Sequence, residues 1–205
     1  MGDQNNTLRI GVVADTHVPD RARALHPDLI PGLAAHGVSQ ILHAGDVCIP
    51  CIVAELEQVA PVAAVGGNRD HWFRHRLVSE LTLEVDGVQL ALVHGHGGFL
   101  PYFIDKWQHW LEGYRQARYL DRLHKAAPGA KVVVFGHTHR PVNLWRGGQL
   151  FFNPGSASVG PHHNAQPSYG ILYISQNGSV HGEVIELNGV RLEKRMWVPA
   201  AKRKS

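Results

Sequence analysis

No run of this 205-residue chain approaches the roughly 20 consecutive apolar residues that a helical membrane span requires, so no membrane partner is expected. Cysteine is almost missing. Cys48 and Cys51 are the only two, too few to staple a chain of this length, which points to a reducing compartment. Met1-Gly2-Asp3-Gln4-Asn5-Asn6 lacks the apolar region of a signal peptide, so the cytoplasm is the expected location. A basic stripe is lacking too. The net charge is only +3, part of it in Lys202-Arg203-Lys204, and this leaves no strong nucleic-acid signature. Neither repeat, linker nor low-complexity stretch divides the chain. With 44% apolar and 18% charged residues it is expected to form a single domain over residues 1–205.

Histidine is what the chain has in excess, with 15 copies. Val132-Val133-Val134-Phe135 reads as a buried strand that stops at Gly136 and delivers His137-Thr138-His139. The same construction recurs along the chain. The run ending at Ala14 leads into Asp15-Thr16-His17, and the run through His43-Ala44 leads into Gly45-Asp46. The run ending at Val65 leads into Gly66-Gly67-Asn68-Arg69-Asp70, and that ending at Val93 into His94-Gly95-His96. Each tip offers an oxygen or nitrogen ligand. Strands of one parallel or mixed sheet carry such tips to a common edge, so the tips are expected to converge.

Between the first three runs lie helical patterns, around Leu25 to His36 and through Ile52, Leu56 and Val59, as in βαβ units. Leu81 to Val85, Asp86-Gly87 and Val88 onward form a hairpin pattern. An aromatic segment over residues 99–125 contains a helical stripe from Phe103 to about Lys125. Core packing explains it most simply; a lid or a homo-oligomer contact is the functional alternative. The last third reads as hairpins, Val142 to Trp145 with Gln149 to Phe152 and Ser168 to Ser175 with Ser179 to Leu187, followed by a run from Val190 to Val198. These are expected to build a second sheet against the first.

In order, the tips are Asp-x-His, Gly-Asp, Gly-Asn, His-Gly-His and Gly-His-Thr-His, with Asn153-Pro154-Gly155-Ser156 behind them. Here the sequence resembles the calcineurin-like metallophosphoesterase superfamily. It is most similar to the compact phosphodiesterases that share their fold with a retromer scaffold subunit. The resemblance implies an α/β fold, a four-layer β-sandwich of two mixed sheets flanked by helices. It also implies two divalent metal ions. Asp15, His17 and His139 would hold one, Asn68, His94 and His137 the other, with Asp46 bridging. The chemistry suits those residue types. A carboxylate reaches two cations, imidazoles suit first-row transition metals, and an amide oxygen adds a ligand without charge. Mn²⁺ is favoured, with Fe, Zn²⁺, Ni²⁺ or Co²⁺ compatible. Two ions about 4 Å apart would convert a bridging water into a hydroxide for in-line attack on phosphorus.

Asp46, Asn68 and Arg69 are therefore the expected catalytic group. Arg69 is a departure, because many superfamily members carry a histidine there to protonate the leaving group. A guanidinium stays charged and can only grip phosphate, which favours phosphodiesters or activated phosphoesters as substrates. His43, Asp70 and His96 are expected near the site, the first two in supporting roles, while His162-His163 are read as a solvated loop. Cys48-Ile49-Pro50-Cys51 is read as structural, with redox chemistry as its rival. A Ser/Thr phosphatase would need Gly-Asp-x-x-Asp-Arg-Gly and Gly-Asn-His-Glu, which this chain lacks. The alternative from another class is a non-catalytic scaffold of the retromer-subunit type.

Overall fold

The computed structural model describes residues 7–95, 116–162 and 165–200. In chain order the elements are β1 (Leu8–Val13), α1 (Leu29–Ala35), β2 (Gln40–His43), α2 (Pro50–Leu56), β3 (Val62–Ala64) and α3 (Asn68–Trp72). There follow β4 (Glu80–Val85), β5 (Val88–Val93), α4 (Gln116–Ala126), β6 (Val132–Val134), β7 (Val142–Arg146) and β8 (Gln149–Asn153). Last come β9 (Ser168–Ile174), β10 (Val180–Glu186), β11 (Val190–Glu193) and β12 (Met196–Pro199). Among the described residues no helix is long and apolar enough to cross a membrane.

Two five-stranded mixed sheets form the centre. One has the order β10-β9-β1-β2-β3, the other β4-β5-β6-β8-β7. In the first, β1, β2 and β3 are parallel; in the second, β5, β6 and β8 are. Ile10, Val12, Leu42, Leu90, Leu92, Val132, Val134 and Phe152 pack between the sheets. Leu29, Leu33, Ile52 and Leu56 of α1 and α2 cover the outer face of the first sheet. Tyr119, Leu120 and Leu123 of α4 cover the second, against Val133, Phe135 and Phe151. This is the four-layer arrangement expected. Helices on both outer faces explain why Val132–Val134 is apolar on every residue rather than alternating.

Local chemistry sets the element ends. Pro50 opens α2 at a position whose N–H would be unsatisfied anyway. Asp86 and Gly87 take φ of 47° and 72°, the mirror-image turn that suits a two-residue hairpin. Two expectations need correction. The last third does not build a second sheet by itself. β7 and β8 complete the sheet of β4, β5 and β6, while β9 and β10 extend that of β1, because pairing follows packing across the sandwich. Nor is Val190 to Val198 one strand. Lys194 and Arg195 turn the chain with φ of 47° and 67°, and β11 pairs with β12. No glycine or asparagine announces that turn. The first part of the aromatic segment, residues 99–115, lies outside the described residues, as do His96 and His163.

Candidate metal centre

The carboxyl ends of β1, β2, β3, β5 and β6 point to one place, but from two sheets rather than one. Backbone bonds align neighbouring tips within a sheet. Asp15 N donates to Gly45 O at 3.0 Å, His17 N to Asp46 O at 3.0 Å and Gly136 N to His94 O at 3.3 Å. Side chains tie the sheets together. His137 N donates to Asp15 Oδ2 at 2.9 Å, and His94 Nδ1 donates to Ala44 O at 2.7 Å.

The backbone at the tips is strained. Asp15, His17, Asp46, His137 and His139 all have positive φ, between 50° and 69°. Side-chain-bearing residues enter that region at a cost of about 1 kcal/mol or more each, and they stay only where their surroundings hold them. Every one of them is a residue singled out in the sequence as a ligand.

Their side chains converge. His17 Nε2 and His139 Nε2 lie 3.1 Å apart, and His139 Nε2 is 3.4 Å from Asp15 Oδ1. Asp46 faces both ways, with Oδ2 at 3.6 Å from His17 Nε2 and Oδ1 at 3.6 Å from His94 Nε2. Asn68 Oδ1 is 3.3 Å from His94 Nε2, and the His137 ring meets the His94 ring edge-on at 5.1 Å between centroids. Among the described residues two groups could hold a cation, Asp15–His17–His139 and Asp15–Asp46–His94. Asp15 belongs to both, a sharing that strand-tip spacing does not reveal.

The donor set fits a cation and little else. His139 Nδ1 donates to Val159 O at 2.7 Å and His94 Nδ1 to Ala44 O. A carbonyl only accepts, so each neutral ring turns an Nε2 lone pair into the centre. Asp15 Oδ1 is buried there without a hydrogen bond. Lone pairs and carboxylate oxygens facing one another call for positive charge between them.

Ionisation in the metal-free protein reflects the same crowding. Burial opposes charge on Asp15, yet His139, with His94 and His17 behind it, holds the carboxyl well below the usual range. Burial likewise pulls His139 down, but Asp15 outweighs it and the ring titrates above its ordinary value. Burial lowers His17 to about 3, so it stays neutral and ready to coordinate. Asp46 is pushed up to about 6 by burial, against the pull of His94. Cation binding must expel that proton. Manganese affinity measured by calorimetry is therefore expected to fall as pH drops through about 6, by up to tenfold per unit from Asp46 alone. Affinity that stays flat from pH 7 to pH 5 would show that Asp46 takes no part.

Comparison with known proteins gives the family and the fold. The sequence model for the calcineurin-like phosphoesterase superfamily domain matches residues 8–177. This chain belongs to that superfamily. A probable metallophosphoesterase of Methanothermobacter thermautotrophicus is 36% identical over 152 residues, 74% of this chain and 78% of the relative. Among solved structures, Vacuolar Protein Sorting 29 from Cryptosporidium parvum superposes with a TM-score of 0.64 at 18% identity, covering 88% of this chain and 97% of that one. An archaeal phosphodiesterase does so with a TM-score of 0.54 at 20% identity, covering 87% and 100%. At those identities the structures share the fold.

Around this candidate centre the supporting residues take definite places. Asp70 is buried and stitches two tips together, accepting from Gly67 N at 2.7 Å, Asp46 N at 3.0 Å and Cys48 N at 2.6 Å. His43 is fully buried behind the site, its Nε2 3.2 Å from Thr16 Oγ1. Arg69 donates its backbone N–H to Asp46 Oδ1 at 2.7 Å, while its Nε lies 3.5 Å from Asp20 Oδ2. Asp20, read from the sequence as part of a loop, therefore stands between Arg69 and His17 Nδ1, which is 3.9 Å from the same oxygen. Only the fold could have shown it. Ser156 and Ser158 both donate to Asp15 O, at 2.8 and 2.9 Å, and so lock the first tip. Cys48 is buried and Cys51 exposed, and both are free. Burial, with Asp70 and Asp46 nearby, pushes the Cys48 thiol far up, the reverse of what redox chemistry requires.

Proposed function

We propose that the chain is a metal-dependent phosphodiesterase with two divalent cations, acting on diesters or activated esters of phosphate. The observation carrying this reading is the convergence of ligand atoms on Asp15, His17, Asp46, His94 and His139, with Asp15 Oδ1 buried among them without a hydrogen-bond partner. In this reading Asp15, His17 and His139 hold one ion, and His94, Asn68 and His137 the other. Asp46 spans the two, its oxygens being turned to His17 and His94 respectively. The neighbouring Asp15 stands close enough to serve both sides. Mixed oxygen and nitrogen donors favour Mn²⁺ or another first-row ion over Mg²⁺. When bound, such ions supply Lewis acidity toward phosphoryl oxygens and lower the pKa of water.

The protein's own part is placement. Carbonyl oxygens of Ala44 and Val159 fix the ring orientation of His94 and His139, and Asp70 fixes the backbone beneath Asp46. Arg69 follows Asn68 at the rim, partly exposed, and brings fixed charge to a phosphate oxygen. It cannot give a proton to a leaving group, so turnover depends on leaving groups that depart unaided. The phosphodiesterase named among the solved structures supports this choice of ester, and the cytoplasm suits a centre of this chemistry beside two free thiols.

Bis-p-nitrophenyl phosphate with Mn²⁺ provides the test. Turnover is expected with metal and none with chelator, while simple alkyl monoesters stay nearly inert. Arg69→Ala is expected to raise KM about tenfold and keep its metal. The scaffold reading, suggested by the Vacuolar Protein Sorting 29 neighbours, predicts metal binding with no turnover at all.

A further inference from the structure

We propose that His71–Arg76 forms a recognition lip for a short single-stranded oligonucleotide, with Trp72 as a stacking platform and Arg74 and Arg76 as contacts to phosphates flanking the scissile one. The inference rests on the phosphodiesterase reading and adds the substrate's class to it.

Position comes first. Asn68 and Arg69, at the centre, and His71–Arg76 belong to one loop, whose ends are joined by Gly66 N donating to Val78 O at 2.7 Å. The far side of that loop is tied back on α3. Phe73 N donates to Arg69 O at 3.3 Å, Arg74 N to His71 O at 3.2 Å and His75 N to Asp70 O at 2.9 Å. The segment is therefore a fixed shelf continuing from the ligand-bearing turn.

Its composition is unusual for a shelf held this way. Trp72 is 80% exposed and Phe73 38%, although large rings ordinarily seek cover. Arg74 and Arg76 are exposed, and among the described residues neither has an ion-pair or hydrogen-bond partner for its side chain. The one acid within the loop, Asp70, already accepts three backbone N–H groups and has His75 Nδ1 at 3.7 Å. Its charge is thus engaged away from the arginines. A cavity of about 340 Å³ opens here, lined by His71, Arg74, His75 and Arg76.

Chemistry narrows the ligand. Guanidinium groups alone would suit any polyanion, and an exposed indole alone any flat apolar group. Both on a lip of six residues suit a chain that alternates phosphates with flat rings, which single-stranded nucleic acid does. A duplex hides its base faces in the stack and would leave the indole unused. The absence of a basic stripe along the whole chain fits, because the footprint is one short lip of a nucleotide or two. The diester bond between two such nucleotides is then the one presented to the centre.

The test is fluorescence anisotropy of a fluorescein-labelled oligothymidylate, in chelator so that no hydrolysis intervenes. The wild-type protein is expected to bind with strong salt dependence. Trp72→Ala should weaken binding about tenfold or more, and Trp72→Phe should recover most of the loss. Arg74→Ala with Arg76→Ala should weaken it and flatten the salt slope by about 1.4, roughly 0.7 for each phosphate no longer neutralised. Unaltered affinity in both the Trp72→Ala and the double arginine variant overturns the proposal. So does inorganic polyphosphate competing as well as unlabelled oligothymidylate, which would mark a charge-only surface. Binding is read without metal. Failure to hydrolyse bis-p-nitrophenyl phosphate would therefore sink the phosphodiesterase reading alone, while Trp72-dependent binding would still support the lip.

Discussion

Asp46→Asn is expected to abolish phosphoester turnover, lowering kcat/KM by about 10³ or more, and to strip metal from the protein. The backbone should accept the change. Asp46 has φ of 57°, a region that asparagine tolerates nearly as well as aspartate, so the tip keeps its shape. What changes is charge. The native carboxylate faces His17 with one oxygen and His94 with the other, whereas the amide offers a single acceptor and no negative charge. Ions held there would repel each other without an anion between them.

Stability should move the opposite way. The metal-free wild type carries at pH 7 a buried Asp46 whose pKa is raised from 3.8 to about 6. A raised carboxyl pKa contributes stability below about pH 4 that is lost as pH climbs through about 6. The variant has no such loss, so in chelator at pH 7 it should melt no lower than the wild type. Elemental analysis, bis-p-nitrophenyl phosphate hydrolysis and melting in chelator measure all three effects. Wild-type turnover in the variant would end the bridging role.

The second large effect comes from a residue without a side chain. A Cβ on Gly67 would collide with Asp46 Oδ1 and stand 2.5 Å from Asp46 N. Neither atom can yield easily, because Asp46 N is bonded to Asp70 and Oδ1 accepts the Arg69 N–H. The φ of Gly67 is −103°, which any residue adopts, so Gly67→Ala acts purely by displacing the Asp46 carboxylate. Overpacking of this kind costs about 1–3 kcal/mol of stability. Metal affinity is expected to fall about 10- to 100-fold and kcat/KM at least as much. Gly66→Ala serves as the control. The atoms nearest its Cβ would all be Leu77's, with the carbonyl oxygen closest at 3.3 Å, and the variant should keep metal and activity. Equal metal content in the two alanine variants, by elemental analysis, would refute the steric account.

Asp15, His17, Asp46, Asn68, His94, His137 and His139 are identifiable in the chain because each follows an apolar run that ends abruptly. Burial and turn chemistry leave that mark in consecutive residues. The hairpins at Asp86-Gly87 and Gly147-Gly148 are legible for the same reason, since positive φ selects such residues locally. The turn at Lys194-Arg195 is not, because tertiary packing imposes it on residues that do not advertise it.

Which strands share a sheet is a different kind of fact. Val132–Val134 and Leu8–Val13 read alike, yet one lies in each sheet, and the candidate ligands meet across the sandwich. The candidate ligands and the strand tips that carry them were legible in consecutive residues, and the four-layer class followed from the family resemblance those residues carry. It took the packing of the two sheets to show that Asp15 faces both clusters, that Asp70 joins the tips of β2 and β3, and that Asp20 reaches between His17 and Arg69. Periodicity and turn preference are properties of neighbours in the chain, whereas these contacts join residues that only the packing of two sheets brings near.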